Sequence, residues 1–177
     1  MLTLQQIRDQ SPCSEGWTKL LKSLGNPPMD TVISLGDVAK SNGAGDAWWC
    51  IRAMDCNNEQ LRRDVVKALI PSVERAAKHT TYKRVHDCVA VLHDWLDGKP
   101  ADLDAAARAA GAGHAAAARA VAWAATWAAW AAGAGAEAAA WAATWAAWAA
   151  GAGHAAAEME TQRADLIASF PPLILKD

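Results

Sequence analysis

Trp123-Ala-Ala-Thr126-Trp127-Ala-Ala-Trp130-Ala-Ala-Gly133-Ala-Gly135 recurs, residue for residue, as Trp141 through Gly153, an offset of 18 residues. Eighteen residues make five turns at 3.6 residues per turn, so the copy returns to the same helical face. The tryptophans of each copy fall at i, i+4 and i+7, which is one stripe on an α-helix and no pattern for a strand. Alanine fills nearly every other position, giving high helix propensity and letting backbones approach closely. This stretch sets a helical architecture.

Three Gly-Ala-Gly units, at 111–113, 133–135 and 151–153, divide the alanine-rich region into pieces near 103–110, 114–132, 136–150 and 154–169. Each pair of glycines costs about 2 kcal/mol of helix propensity relative to alanine. Antiparallel helices that reverse at these units are therefore expected. The competing arrangement is one long helix with glycines at packing positions, since the spacings keep all three units on nearly one face.

Upstream, helical segments are expected over Thr3–Asp9, over Glu15–Ser23 with Ser14 as N-cap, and over Asp30–Ser41 with Ile33, Val38 and Ala39 inward. Asp46 is placed as the cap of a helix carrying Trp48, Trp49, Ile51 and Met54. Asn57 or Asn58 caps the next helix, which Pro71 kinks or splits. Thr80 or Thr81 opens Tyr82–Asp97, with Val85, Cys88, Val89, Leu92 and Leu96 as its core stripe. Gly98 and Pro100 end it, and Asp102 starts the alanine-rich part. No segment sustains alternation, so no sheet is expected. The fold expected is all-α. A compact helical part over 1–100 packs against an Ala/Trp-rich antiparallel hairpin array over 101–170, and 171–177 forms a tail.

Charge separates these parts. The formal net charge is −2 and the pI about 6.2, which argues against a nucleic-acid binder. Charged residues crowd the first hundred positions, whereas 105–157 carry only Arg108, Arg119 and Glu137. Ala138–Ala157 is uncharged and long enough to span a bilayer, but alanine inserts poorly and the stretch lacks Leu, Ile, Val and Phe. No membrane span is expected. Cys13, Cys50, Cys56 and Cys88 form no Cys-x-x-Cys pair, and the opening residues lack the basic and apolar segments of a signal peptide. Reduced, mostly buried thiols in a cytoplasmic protein are expected.

The six tryptophans Trp123, Trp127, Trp130, Trp141, Trp145 and Trp148 have two readings. As core, they are the large knobs filling gaps between alanine-lined helices, which alanine alone holds weakly. As surface, they form a stacking groove or a patch that grips a protein partner. Arg119 and Glu137 project near the stripe. They either reach to its rim or pair across a hairpin, or else supply a polar recognition point within an aromatic face. His86 and His93 stand seven residues apart, too far for a compact zinc helix, so no metal or cofactor is expected. No phosphate loop, nucleophile elbow or zinc-protease motif occurs, and an enzyme is not expected.

Two segments resemble a family of immunity proteins, the Imm-5-like group. These are Cys13-Ser14-Glu15-Gly16-Trp17, followed by Leu20 and Leu21, and Gly45-Asp46-Ala47-Trp48-Trp49, similar to the family's Gly-Asp-Trp helix start. A Trp95-x-x-Gly98 helix end before an alanine-rich tail is similar as well. The resemblance implies a small helical bacterial or phage protein that binds and neutralises another protein, a toxin or a component of a defence system. It adds Asp46 and Trp49 to the partner-binding candidates, although a helix cap and a core indole explain them equally well. The expected function is a non-enzymatic inhibitor acting by protein–protein binding. The alternatives are a self-assembling module in which the Ala/Trp face joins copies of the chain, and a helical bundle that binds a small ligand.

Overall fold

The computed structural model describes residues 1–55, 57–78, 80–111, 124–132, 136–149 and 154–175. The fold is all-α, and among the described residues its strands form one small antiparallel pair. In that pair β1 (Leu2–Thr3) sets Leu2 opposite Ile33 and Thr3 opposite Val32 of β2 (Val32–Ile33). The helices are α1 (Leu4–Asp9), α2 (Ser14–Ser23), α3 (Leu35–Asn42), α4 (Ala44–Cys50), α5 (Glu59–Ala77), α6 (Lys83–Leu96), α7 (Leu103–Gly111), α8 (124–132), α9 (Ala136–Ala149) and α10 (Ala155–Ser169). A short 3-10 turn, Ile51–Ala53, follows α4.

The strand pair corrects the sequence reading, which saw no sheet and ran a helix from Asp30. Ser34 is the reason. Its hydroxyl accepts from the Asp37 N–H at 3.1 Å, while the Asp37 carboxylate accepts from the Ser34 N–H at 2.9 Å. This reciprocal cap starts α3 at Leu35 and leaves 32–33 extended. Two caps also move. Cys13, not Ser14, caps α2 through its sulfur, which accepts from the Gly16 N–H at 3.4 Å. Gly43, at φ 100°, precedes α4, and Asp46 sits in that helix's first turn instead of capping it. Asn58 caps α5 as expected, accepting from the Leu61 N–H at 3.0 Å. Asp102 caps α7 through the Ala105 N–H at 2.8 Å. α5 runs unbroken through Pro71, so the proline does not split it.

The rings of Trp127 and Trp141 lie 6.2 Å apart. Fourteen residues along one continuous helix would separate them by about 21 Å. The chain therefore folds back between α8 and α9, as the hairpin reading expects. α9 then lies against α4, α5 and α10, while α10 covers α3, α4 and α5.

Alanine, not tryptophan, fills the interior of the array. Ala124, Ala125, Ala128 and Ala129 of α8 and Ala142, Ala143 and Ala146 of α9 are buried, whereas Trp127, Trp130 and Trp145 are half-buried against them. The core reading fails for Trp141 and Trp148, which are exposed, while Trp127, Trp130 and Trp145 do pack against the core. Small side chains let backbones approach closely, and the bulky apolar groups come from surrounding helices: Leu69 and Val73 of α5, Leu92 of α6 and Trp48 of α4.

Polar groups tie the array down. Gln162 of α10 is fully buried. Its carbonyl oxygen accepts from Trp48 Nε1 at 3.2 Å, and its amide nitrogen donates to the Ala143 carbonyl at 2.9 Å. The same nitrogen donates to Glu158 at 3.2 Å, and Glu158 receives Arg75 at 2.9 Å. Thr126 donates to the Ala107 carbonyl at 3.1 Å. Buried groups paired in this way hold α10 to three neighbours without stranding a donor.

Candidate functional site

α9 turns Trp141 and Trp148 outward and packs Trp145, between them in sequence, half-buried against the core. Trp141 is 44% exposed and Trp148 59% exposed, on a helix whose opposite side is packed alanine. Trp145 and Trp148 meet edge to face at 4.8 Å, and Trp127 and Trp130 of α8 repeat the arrangement at 4.8 Å. The matching geometry follows from the duplicated sequence. Trp127 against Trp141 joins the two stripes, and edge-to-face and offset contacts of this kind favour fixed ring positions.

Beyond Trp141 the surface dips into a cavity of about 190 Å³. Trp49 of α4, Arg52 of the 3-10 turn, Thr144 of α9 and Met159 of α10 form its walls, with Trp48 and Gln162 also lining it. The Arg52 guanidinium lies 4.6 Å from the Trp49 ring centroid, and its Nε donates to the Trp49 carbonyl at 3.2 Å. Both contacts hold a cation over an indole at the cavity edge. The result is an aromatic surface with one fixed positive charge, suited to burying apolar groups of a partner and pairing with a carboxylate at its rim.

The structure therefore brings Trp49 and Trp141 into one cavity and connects them to Trp127 and Trp130. Asp46 does not join them. It turns toward Gly16 of α2, and its carboxylate accepts from Nδ2 of Asn42, the last residue of α3, at 2.7 Å. Trp123 and Arg119 lie outside the described residues. Glu137 falls in the first turn of α9, and its side chain is likewise outside them. His86 contacts the Thr80 carbonyl at 2.9 Å and His93 contacts Glu74 at 2.8 Å, so the two histidines serve separate local bonds. His154 precedes α10, exposed and without a capping bond from its side chain; His114 lies outside the described residues.

Cys50 and Cys88 are buried, and burial pushes both thiols up to about 12. Cys13 is exposed, so two of the three described thiols are buried, and Cys56 lies outside the described residues. Among the described residues no helix is long and apolar enough to cross a membrane.

Sequence reading missed Arg52, Thr144 and Met159. A signal for two of them was present. Met159 stands 18 residues after Trp141, and Gln162 stands 18 after Thr144, which itself stands 18 after Thr126. α10 thus occupies a third, diverged register of the repeat.

An all-α protein with an alanine core and an outward tryptophan surface is what the fold and this site define. No protein-family model matches the chain, and no curated protein or solved structure matches it either.

Proposed function

We propose that the protein is a non-enzymatic inhibitor that acts in the cytoplasm by binding another protein through the tryptophan surface of α8 and α9. A toxin neutralised by its immunity protein, or a bacterial defence component blocked by a phage-encoded protein, is the partner class in view. The observation that carries this reading is the exposure of Trp141 and Trp148 at 44% and 59%. The alanine face already meets the packing needs of α9, so the two indoles add apolar area where a monomer gains least from it. Tryptophan set in an aromatic patch with an arginine at its edge is the composition of protein-binding hot spots.

The test uses tagged protein and the Trp141→Ser/Trp148→Ser variant side by side on lysates of candidate bacterial hosts. Support is a stoichiometric partner retained by the parent and lost by the variant, whose purified activity falls as the protein is titrated in. Retention of the same partner by the variant would place the interface elsewhere. Recovery of the bait alone, with a mass that rises with concentration in sedimentation, would replace the inhibitor with self-assembly.

A further inference from the structure

We propose that the cavity between α2 and α4 is a binding site for a small organic ammonium ion with an apolar body. The cavity has a volume of about 230 Å³ and is separate from the tryptophan surface, although Trp49 lines both. Two indoles, Trp17 and Trp49, line it together with Ile7, Leu20 and Val38. Its one carboxylate is that of Asp46.

That carboxylate is held in place. Asn42 Nδ2 donates to Asp46 at 2.7 Å and to the Gly16 carbonyl at 2.8 Å, bridging α4 to α2. Gly16 makes the approach feasible, because a Cβ there would stand 2.8 Å from the Asp46 Oδ2 and 3.1 Å from the Cys13 sulfur. Among the described residues no lysine or arginine forms an ion pair with Asp46. Arg52, the cation on Trp49, lines the other cavity.

These features select a ligand by chemistry. Indoles attract cations, and a fixed carboxylate in a partly closed pocket gains more from a cation than from water-sized neutral groups. The apolar walls reward a hydrocarbon body. An anion meets Asp46 as a like charge, and a neutral molecule leaves the carboxylate uncompensated. Size agrees: a dry cavity of about 150 Å³ holds benzene, so this one accommodates a ring with a methylene-ammonium arm.

Benzylammonium is the probe, with benzyl alcohol as its neutral counterpart. Cys13 lines the cavity and is exposed, so its alkylation by iodoacetamide, followed at that peptide by mass spectrometry, reports occupancy locally. Benzylammonium is expected to slow Cys13 alkylation saturably and to shift the indole N–H resonances of Trp17 and Trp49. Its half-effect concentration should lie about tenfold or more below that of benzyl alcohol. Asp46→Asn should bring the two probes to equal strength. Absence of saturable protection, equal protection by the two probes on the parent protein, or an unchanged preference in a folded Asp46→Asn variant would each overturn the proposal. The comparison on the parent protein decides the matter even if the variant does not fold.

Discussion

The Asp37 carboxylate accepts the backbone N–H of Leu175 at 2.9 Å, across 138 positions of sequence. The N–H groups of Leu173 and Ile174 reach the same carboxylate at 3.0 Å each, and that of Ser34 at 2.9 Å. Lys40 completes the tie by donating to the Leu175 carbonyl at 2.8 Å. The segment after α10 is thus bound to the start of α3 by one fully buried side chain.

Asp37→Asn is expected to destabilise the protein by about 3 kcal/mol, because an amide presents one acceptor oxygen where the carboxylate served four backbone donors. Urea denaturation of the two proteins measures the difference. A loss below about 1 kcal/mol would mean that the tail bonds are replaced by water at little cost.

Acid should remove the same stabilisation. Burial by itself pushes the Asp37 carboxyl up, but the N–H donors of Ser34, Leu175, Leu173 and Ile174 outweigh it and hold the group below its ordinary 3.8. A group depressed on folding stabilises fully above its unfolded pKa and loses that contribution as pH falls through the folded one. Asp37 therefore contributes a constant amount from neutrality to about pH 4 and less below it. The urea midpoint of Asp37→Asn, followed against pH, should fall less steeply in acid than that of the parent.

Gly36→Ala tests the same junction by volume. A Cβ at Gly36 would stand 2.0 Å from the Phe170 carbonyl oxygen, against backbone that cannot rotate away. A loss of about 2 kcal/mol is expected, together with faster proteolysis after Phe170. Unchanged stability would show that the tail shifts freely.

The outward tryptophans and the inward one should respond oppositely. Trp148→Ala is expected to cost less than about 1 kcal/mol, as at other exposed positions. Trp48→Ala should cost about 4 kcal/mol, since that indole is 2% exposed and bonded to Gln162. Ala142→Leu should cost about 2 kcal/mol by overpacking the alanine seam. Equal losses at Trp48 and Trp148 in thermal melts would contradict the placement of the stripe.

Gln162→Leu removes the acceptor of Trp48 Nε1 and the donor to Glu158 and to the Ala143 carbonyl at a buried position. About 2 kcal/mol of destabilisation is expected from the stranded groups. Intrinsic fluorescence should also shift as the Trp48 surroundings change. A neutral result would mean that water enters and takes over those bonds.

Periodicity revealed the helices, and the copied segment revealed that α8 and α9 are alike. It could not reveal which side of α9 is buried, because alanine and tryptophan both count as apolar and the helix is apolar nearly all round. Depth followed from close packing: the narrow side went inward. The strand pair escaped notice because two residues are too few for alternation to register. The cap that frees it, Ser34 with Asp37, was legible as a serine followed three positions later by an acid. Of the site, the tryptophans were legible one by one. The meeting of Trp49 with Trp141, and the turning of Asp46 toward α2, depend on contacts between distant segments that no local pattern encodes.

The hairpin order of α8, α9 and α10 has a bearing on how the gene can change. Tandem copies of this kind invite unequal recombination, and an open solenoid absorbs the gain of a unit at its end. Here one extra copy would turn α10 end for end and carry Glu158 and Gln162 away from Arg75 and Trp48. Two extra copies would restore the direction of α10 and still displace it by two helix widths from α3. α10 closes the array, so a change in copy number costs the bonds that tie α10 to α4, α5 and α9.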